Sequence, residues 1–311
     1  MTAQLPEGVL IGHWTDREAW TGCTVVLLPE GSVASCEVRG GAPGTRETDG
    51  LSLAAADAGS NAILLTGGSS FGLGAADGVV RWLAERGRGH AMPAGPVPVV
   101  AAAVVYDLRL GSSTVWPTAD GGYAACEAAT PTPEHGSVGA GTGCTVGKLL
   151  RDGWTKGGFG MASLALDGGC VVAAVAVVNA VGEVLDGDGT VLAGIWRDDS
   201  YVSSSEVLRE QGLRGRSGRE ATTLVCVLTD ARLTKTEAWL CARSAGAGMA
   251  RAVTPVWTQF DGDAVFCAAT NTVDADPAVV SALAADVTAD AIRDAVREAT
   301  GAPGCPAASE R

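Results

Sequence analysis

Histidine is nearly missing from this chain of 311 residues, which has three: His13, His90 and His135. They are far apart and none has a setting that suggests a base, which argues against a Ser-His-Asp triad and against a zinc centre. Paired cysteines are missing too. The nine present are an odd number, widely scattered and without a C-x-x-C pair. A disulfide framework does not fit, and a reducing cytoplasm is the expected setting. Basic residues are outnumbered, 22 Lys and Arg against 35 Asp and Glu, for a formal charge of −13. That balance argues against a nucleic-acid groove or an anionic membrane surface, and suits a site that favours cationic groups. No uninterrupted apolar run approaches the ~18 residues of a membrane span. The start, MTAQLPEGVLIGHWTD, lacks the basic and apolar regions of a signal peptide. A soluble cytoplasmic protein is expected.

Apolar material and glycine are plentiful. Apolar residues make up 47% of the chain and charged ones 18%, enough for a sizeable core and too little charge for disorder. The 43 glycines follow no G-X-Y period, which excludes a collagen-like chain. Apolar runs of strand length recur at Cys23–Leu28, Ala62–Thr66, Val97–Tyr106, Met161–Leu166, Cys170–Val178, Thr222–Leu228 and Ala264–Ala269. Several are apolar on both faces, as strands between two layers are. Helical periodicity marks Leu73–Arg86, Thr234–Met249 and Pro277–Ala299, the last with Asp276 at the N-cap and Pro277 at the first helical position. A layered α/β architecture follows. Arg197–Glu220 has no strand pattern and is rich in Gly, Ser and Arg; it reads as an exposed loop where a chain cut is tolerated. The pieces on either side would share one core, a single domain over residues 1–311.

Two glycine-rich stretches fail as nucleotide motifs. In GLGAADG the third glycine is displaced from the dinucleotide fingerprint. TGCTVGKLL has Thr142 and Leu149 where a Walker A sequence needs Gly and Ser or Thr. No cofactor is expected. Lys148, closing the Gly-rich GAGTGCTVGK, is either a solvated surface charge or a lysine desolvated among small residues, which would suit it to handling protons. Asn179 ends an apolar run, as a turn residue or as an amide donor to a developing oxyanion. Asp261-Gly262-Asp263 is a D-G hairpin turn or a pair of carboxylates on one side of a strand, able to hold a lysine or a substrate ammonium. Further oxygen ligands for a metal are not found nearby. Thr222 also has two readings. It opens a strand, which β-branched residues suit, or it becomes the first residue of a cut chain. In the second case its hydroxyl is the nucleophile and its own α-amine, of pKa about 7.7–8.0, is the base.

Eight stretches occur in order over nearly the whole chain: GHWTDREAWTGCTVVLLPEG, VRGGAPGTRETD, LLTGGSSFGLGAADGVVRWLAERGRG, VPVVAAAVVYDL, GSVGAGTGCTVGK, VVNAVGEVLD, TTLVCVLTDARLTK and FDGDAVF. Together they resemble the self-processing aminopeptidases, the family of L-aminopeptidase/D-esterases, β-peptidyl aminopeptidases and nylon-oligomer (6-aminohexanoate-oligomer) hydrolases. The resemblance implies a four-layer αββα sandwich similar to N-terminal nucleophile hydrolases but differently connected. It implies self-cleavage between Ala221 and Thr222, into an α chain of residues 1–221 and a β chain of 222–311, and a homotetramer of such protomers. Position by position, it makes Thr222 the nucleophile, Asn179 the oxyanion asparagine and Lys148 the lysine beside the nucleophile. Asp261 and Asp263 match the acidic positions of the nylon-oligomer branch. Tyr106 matches a tyrosine lining the substrate pocket, with Gly67, Gly68, Ser69 and Ser70 in its wall. The implied reaction is hydrolysis, through an acyl-enzyme, of a small amide or peptide with a free amine. Acyl transfer to an amine, as in ornithine acetyltransferases, and an uncleaved non-catalytic homologue are the alternatives. Three positions depart from the family: Ala221, where Asn or Gly often precedes the cut; Ala180, where proline usually follows the asparagine; and Gly74, where an acidic residue is common.

Overall fold

The computed structural model describes residues 3–56, 59–212 and 220–311. Its longer strands and its sheet partners are, in chain order, β1 (Leu10–Asp16), β2 (Thr21–Leu27), β3 (Val33–Val38), β4 (Thr45–Arg46), β5 (Ala62–Thr66), β6 (Val100–Val104), β7 (Gly158–Ala165), β8 (Val171–Asn179), β9 (Thr222–Ala231) and β10 (Ala264–Val273). The α-helices are α1 (Ala75–Glu85), α2 (Ala119–Glu127), α3 (Ser204–Gln211), α4 (Lys235–Ala252) and α5 (Pro277–Arg297). One sheet has the order β1-β2-β5-β6-β4, the other β3-β10-β9-β8-β7. Both are mixed: β5 pairs with β6, and β9 with β10, in parallel.

Side-chain alternation along the strands decides the layering. In β8, Val171, Ala173, Val175 and Val177 face the first sheet, and they meet Leu224, Cys226 and Phe266 together with Ile63, Leu65 and Ala101. The intervening Val172, Ala174, Ala176 and Val178 pack instead on α4 and α5, against Ala242, Ala245, Ile292 and Ala295. The first sheet splits the same way. Its Val25, Leu27, Leu64 and Ala102 lie under Val79 and Leu83 of α1 and Ala125 of α2. The order of layers is therefore helix, sheet, sheet, helix, an αββα sandwich. Strands covered on both faces have no solvent side, and this is why they read as continuous apolar runs. The start signal of α5 holds, since Asp276 accepts the Ala278 amide at 2.9 Å ahead of Pro277; at α4, Thr234 forms a capping box with Glu237. Among the described residues no helix is long and apolar enough to cross a membrane.

The structure departs from the sequence reading at two places. The segment read as a loop over Arg197–Glu220 is structured over much of its length: Ile195–Arg197 pairs with Ser200–Val202, and Ser203 caps α3. These strands are too short for a period, and α3 is polar apart from a short stripe around buried Val207. Residues 213–219 of that segment lie outside the described residues. The second is α2, which the sequence hid behind two glycines in ADGGYAACE. They trade helix propensity for close packing, since a Cβ on Gly122 would lie 2.0 Å from the Ala75 carbonyl oxygen at the start of α1.

Candidate active site

The antiparallel ladder of β8 and β9 ends with Asn179 opposite Thr222. Alternation sends the neighbouring threonines to opposite faces. Thr222 shares its side with Leu224 in the layer between the sheets, and Thr223 shares its side with Val225 under the helices. The buried Thr223 hydroxyl has no hydrogen-bond partner among the described residues. The Thr222 hydroxyl, in a residue 5% exposed, donates to the carbonyl oxygen of Ala221 at 2.6 Å.

On the other side of β9, the parallel strand β10 brings in the acidic pair. Ala221 bridges to Asp261, and the Gly262 amide donates to the Ala221 oxygen at 2.9 Å. Asp261-Gly262-Asp263 is thus the entrance to a parallel strand and not the tip of a hairpin. Asp263 accepts the amides of Thr223 at 2.6 Å and Trp257 at 3.1 Å. Asp261 accepts the Thr258 amide at 2.8 Å and its hydroxyl at 2.6 Å. Burial pushes both carboxyls above the usual carboxylate range. For Asp263 the neighbouring Asp261 adds to this and the value reaches about 7. For Asp261 the Thr258 hydrogen bonds and the charge of Lys148 pull back down.

Lys148 is buried, 5% exposed, so the desolvated reading is the one the structure supports. Its backbone is set by the amides of Gly147 and Lys148, which donate to Gly182 and Val181 at 2.9 and 2.7 Å. Gly147 has φ +81°, and a Cβ there would lie 2.4 Å from the Gly194 backbone, so only glycine fits. The Lys148 ammonium donates to the Asn179 carbonyl at 2.8 Å, to Asn179 Oδ1 at 2.5 Å and to the Glu220 carbonyl at 2.8 Å. Asn179, fully buried, also accepts the Thr145 amide at 3.0 Å; its Nδ2 donates to the carbonyls of Tyr106 at 3.0 Å and Glu220 at 3.3 Å. The strand-end asparagine is therefore a hub that joins three segments, not a turn residue.

A small cleft opens beside this cluster, bordered by Tyr106, Arg109, Lys148, Trp154 and Glu220. Arg109 pairs with Glu220 and stacks 4.4 Å from the Trp154 ring centre. Next to Tyr106, buried Asp107 accepts the Thr21 hydroxyl and the Gly68 amide, each at 2.7 Å, and burial pushes its carboxyl up to about 6. Gly67 and Gly68 pack on that carboxyl: a Cβ on Gly67 would sit 2.1 Å from Asp107 Oδ2. Ser69 donates its amide to Val105 at 2.9 Å, and Ser70 is exposed. Gly67 and Gly68 border Asp107, and none of the four lines the cleft.

Sequence reasoning missed Asp107, Arg109, Trp154, Lys156 and Glu220. Lys156 is fully buried and donates to the carbonyls of Thr142 at 2.9 Å and Cys144 at 2.7 Å, fixing the loop that leads to Lys148. Burial pushes its pKa down. The available signal for Asp107 and Lys156 was a charge set in or beside an apolar run, in VVAAAVVYDL and WTKGGFGMA.

Comparison with known proteins places the chain as a whole. Residues 7–307 match the model of peptidase family S58. An uncharacterised aminopeptidase of Mycobacterium leprae is 41% identical over 291 residues, 86% of this chain and 78% of that protein. A 6-aminohexanoate-oligomer endohydrolase of Paenarthrobacter ureafaciens is 32% identical over 273 residues, 86% of this chain and 74% of that protein. Among solved structures, a beta-aminopeptidase of Burkholderia sp. superposes with a TM-score of 0.71 at 23% identity, over 96% of this chain and 87% of that one. An L-aminopeptidase D-Ala-esterase/amidase of Ochrobactrum anthropi, described as a variant of the Ntn hydrolase fold, has a TM-score of 0.71 at 19% identity, over 98% and 91%. At that identity the two structures speak for the fold. The match over nearly all its length places the chain in peptidase family S58, as a hydrolase of peptide or amide bonds.

Proposed function

We propose that the chain is a self-processing amide hydrolase with Thr222 as nucleophile. The observation that carries this reading is the buried Thr222 hydroxyl, 2.6 Å from the oxygen of the preceding carbonyl, directly across the ladder from Asn179 with Lys148 bonded to it. Attack of Oγ1 on the Ala221 carbonyl carbon moves the acyl group from nitrogen to oxygen, and the hydroxyl proton ends on the Thr222 nitrogen. Water then hydrolyses the ester. This leaves an α chain of residues 1–221 and a β chain of 222–311 whose first residue has a free hydroxyl and a free amine.

In the mature enzyme that amine, with a pKa of about 7.7–8.0, takes the hydroxyl proton as Oγ1 attacks a substrate carbonyl. Asn179 Nδ2 and the Lys148 ammonium now converge on the Glu220 carbonyl at 3.3 and 2.8 Å. Once that segment moves away they are donors for the oxyanion of a substrate. The leaving amine is protonated, and water releases the acyl group from Thr222. Asp263 holds the Thr223 amide and so the nucleophile's strand. With Asp261 it adds acidic character beside a substrate ammonium. The relatives' names, aminopeptidase and 6-aminohexanoate-oligomer endohydrolase, favour peptides or aminohexanoate oligomers with a free amine as substrates. A homotetramer of α/β protomers, to be weighed by light scattering, completes the proposal.

Denaturing mass spectrometry of the purified chain tests it. Two fragments divided between Ala221 and Thr222 are expected, with Thr222→Ala giving one uncut chain and no amide hydrolysis. An uncut wild-type chain, or normal turnover by pure Thr222→Ala, overturns the reading.

A further inference from the structure

Resting on the reading of Thr222 as a self-cleaving residue, we propose that the backbone N–H of Gly262 is the oxyanion donor of the cleavage step. As Oγ1 bonds to the Ala221 carbon, the C=O pair moves onto the Ala221 oxygen, and the negative charge appears there. The donors that the sequence pointed to are aimed elsewhere: Asn179 Nδ2 and the Lys148 ammonium bond the carbonyl of Glu220, one residue upstream. The Ala221 oxygen instead receives the Gly262 amide at 2.9 Å and the Thr222 hydroxyl at 2.6 Å. The second of these bonds is lost when the hydroxyl turns nucleophile. The amide remains, already aligned and in a site largely withdrawn from solvent, since Ala221 and Thr222 are 4% and 5% exposed. A donor of this kind needs no rearrangement as the charge develops.

The flanking residues hold the amide in place. Asp261 bridges to Ala221 and is pinned by Thr258, while Asp263 grips the Thr223 amide at 2.6 Å. The scissile unit is therefore clamped on both sides of the bond by the same three residues. Glycine at the centre has a steric reason as well. A Cβ at 262 would lie 2.8 Å from Thr222 Oγ1 and 3.1 Å from the Ala42 carbonyl oxygen, so a side chain would displace the nucleophile. When the bond breaks, the Ala221 carbon keeps its new bond to Oγ1, the Thr222 nitrogen gains the hydroxyl proton, and the carbonyl re-forms against Gly262. The molecule thus has two separate oxyanion cradles: Gly262 for the one-time cut and Asn179 with Lys148 for turnover.

Replacing Gly262 by glycolate in the full chain turns its amide into an ester. This deletes the N–H and adds nothing to the space of Thr222. Self-cleavage, followed by denaturing mass spectrometry, should slow by about 10²–10³-fold. Cleavage within threefold of the unmodified chain overturns the assignment of Gly262 and leaves the self-cleavage reading intact. An unmodified chain that never divides overturns that reading itself. A second measurement needs no backbone change. In the uncut Thr222→Ala chain, NMR should show a scalar coupling across the hydrogen bond from the Gly262 nitrogen to the Ala221 carbonyl carbon. Its absence also overturns the assignment.

Discussion

Replacing Lys148 with methionine separates a structural role from a chemical one. The substitution keeps an apolar stem of similar reach and removes the ammonium, whose bonds include those to the Asn179 carbonyl, Asn179 Oδ1 and the Glu220 carbonyl. Two of these keep another donor, since Thr145 still serves Asn179 Oδ1 and Asn179 Nδ2 still serves the Glu220 carbonyl. The cost is at most roughly 1–3 kcal/mol, that of one buried acceptor deprived of a partner. Relief from burying a charge offsets part of it. A domain with about 5–15 kcal/mol in hand stays folded. The chemical cost is larger, because one oxyanion donor contributes about 10²–10³ in kcat. Urea unfolding would measure the first term, and hydrolysis of an alanine anilide by the processed protein the second. The expected result is a folded variant with turnover down at least about a hundredfold. A Lys148→Met protein that is folded and turns over within threefold of wild type refutes the reasoning.

Ala221→Asn should slow self-cleavage, because position 221 packs in an apolar cluster with Leu149, Val181, Ile195 and Val207 and a buried amide there lacks partners, at roughly 1–3 kcal/mol; the time course of chain division by mass spectrometry checks it. Burial lifts Asp263 from 3.8 to about 7, so its contribution to stability is full below about pH 4 and is lost as the pH rises through about 7. Urea unfolding of the uncut Thr222→Ala chain at pH 5 and pH 8 should show that decline, and Asp263→Asn in the same background should make it shallower, leaving the part that Asp107 and Asp261 contribute.

How much of this was legible in the sequence depends on how local each signal is. β8, β9 and β10 were visible as apolar runs because both of their faces are covered, and α5 because its cap and proline are contiguous with its stripe. β1 and β3 escaped, being half-buried and mixed in composition, and α2 escaped because its helix packing demands glycine. The expected strand over Val97–Tyr106 shrinks to Val100–Val104, since Pro98 has no N–H for a ladder. Thr222, Asn179, Lys148 and the acidic pair stood out one by one, but their residue types left the bland readings open. What joins them is register: the last rung of an antiparallel ladder on one side and the first rungs of a parallel one on the other.

Register also accounts for the residue before Thr222. Ala221 differs from the Asn or Gly that the resemblance would place there, and its surroundings explain a small apolar side chain. It projects into the Leu149, Val181, Ile195 and Val207 cluster, which includes Val207 of α3, so the segment first read as a featureless loop supplies part of the wall. The backbone of Ala221 meanwhile is held by Gly262 and Asp261 through main-chain contacts that ignore side-chain identity. The two demands are separable. The carbonyl can be aligned for attack with any residue at 221, whereas the pocket beneath admits only a small one without a polar group. The departure at Ala221 is, in this structure, a local match between one side chain and its wall.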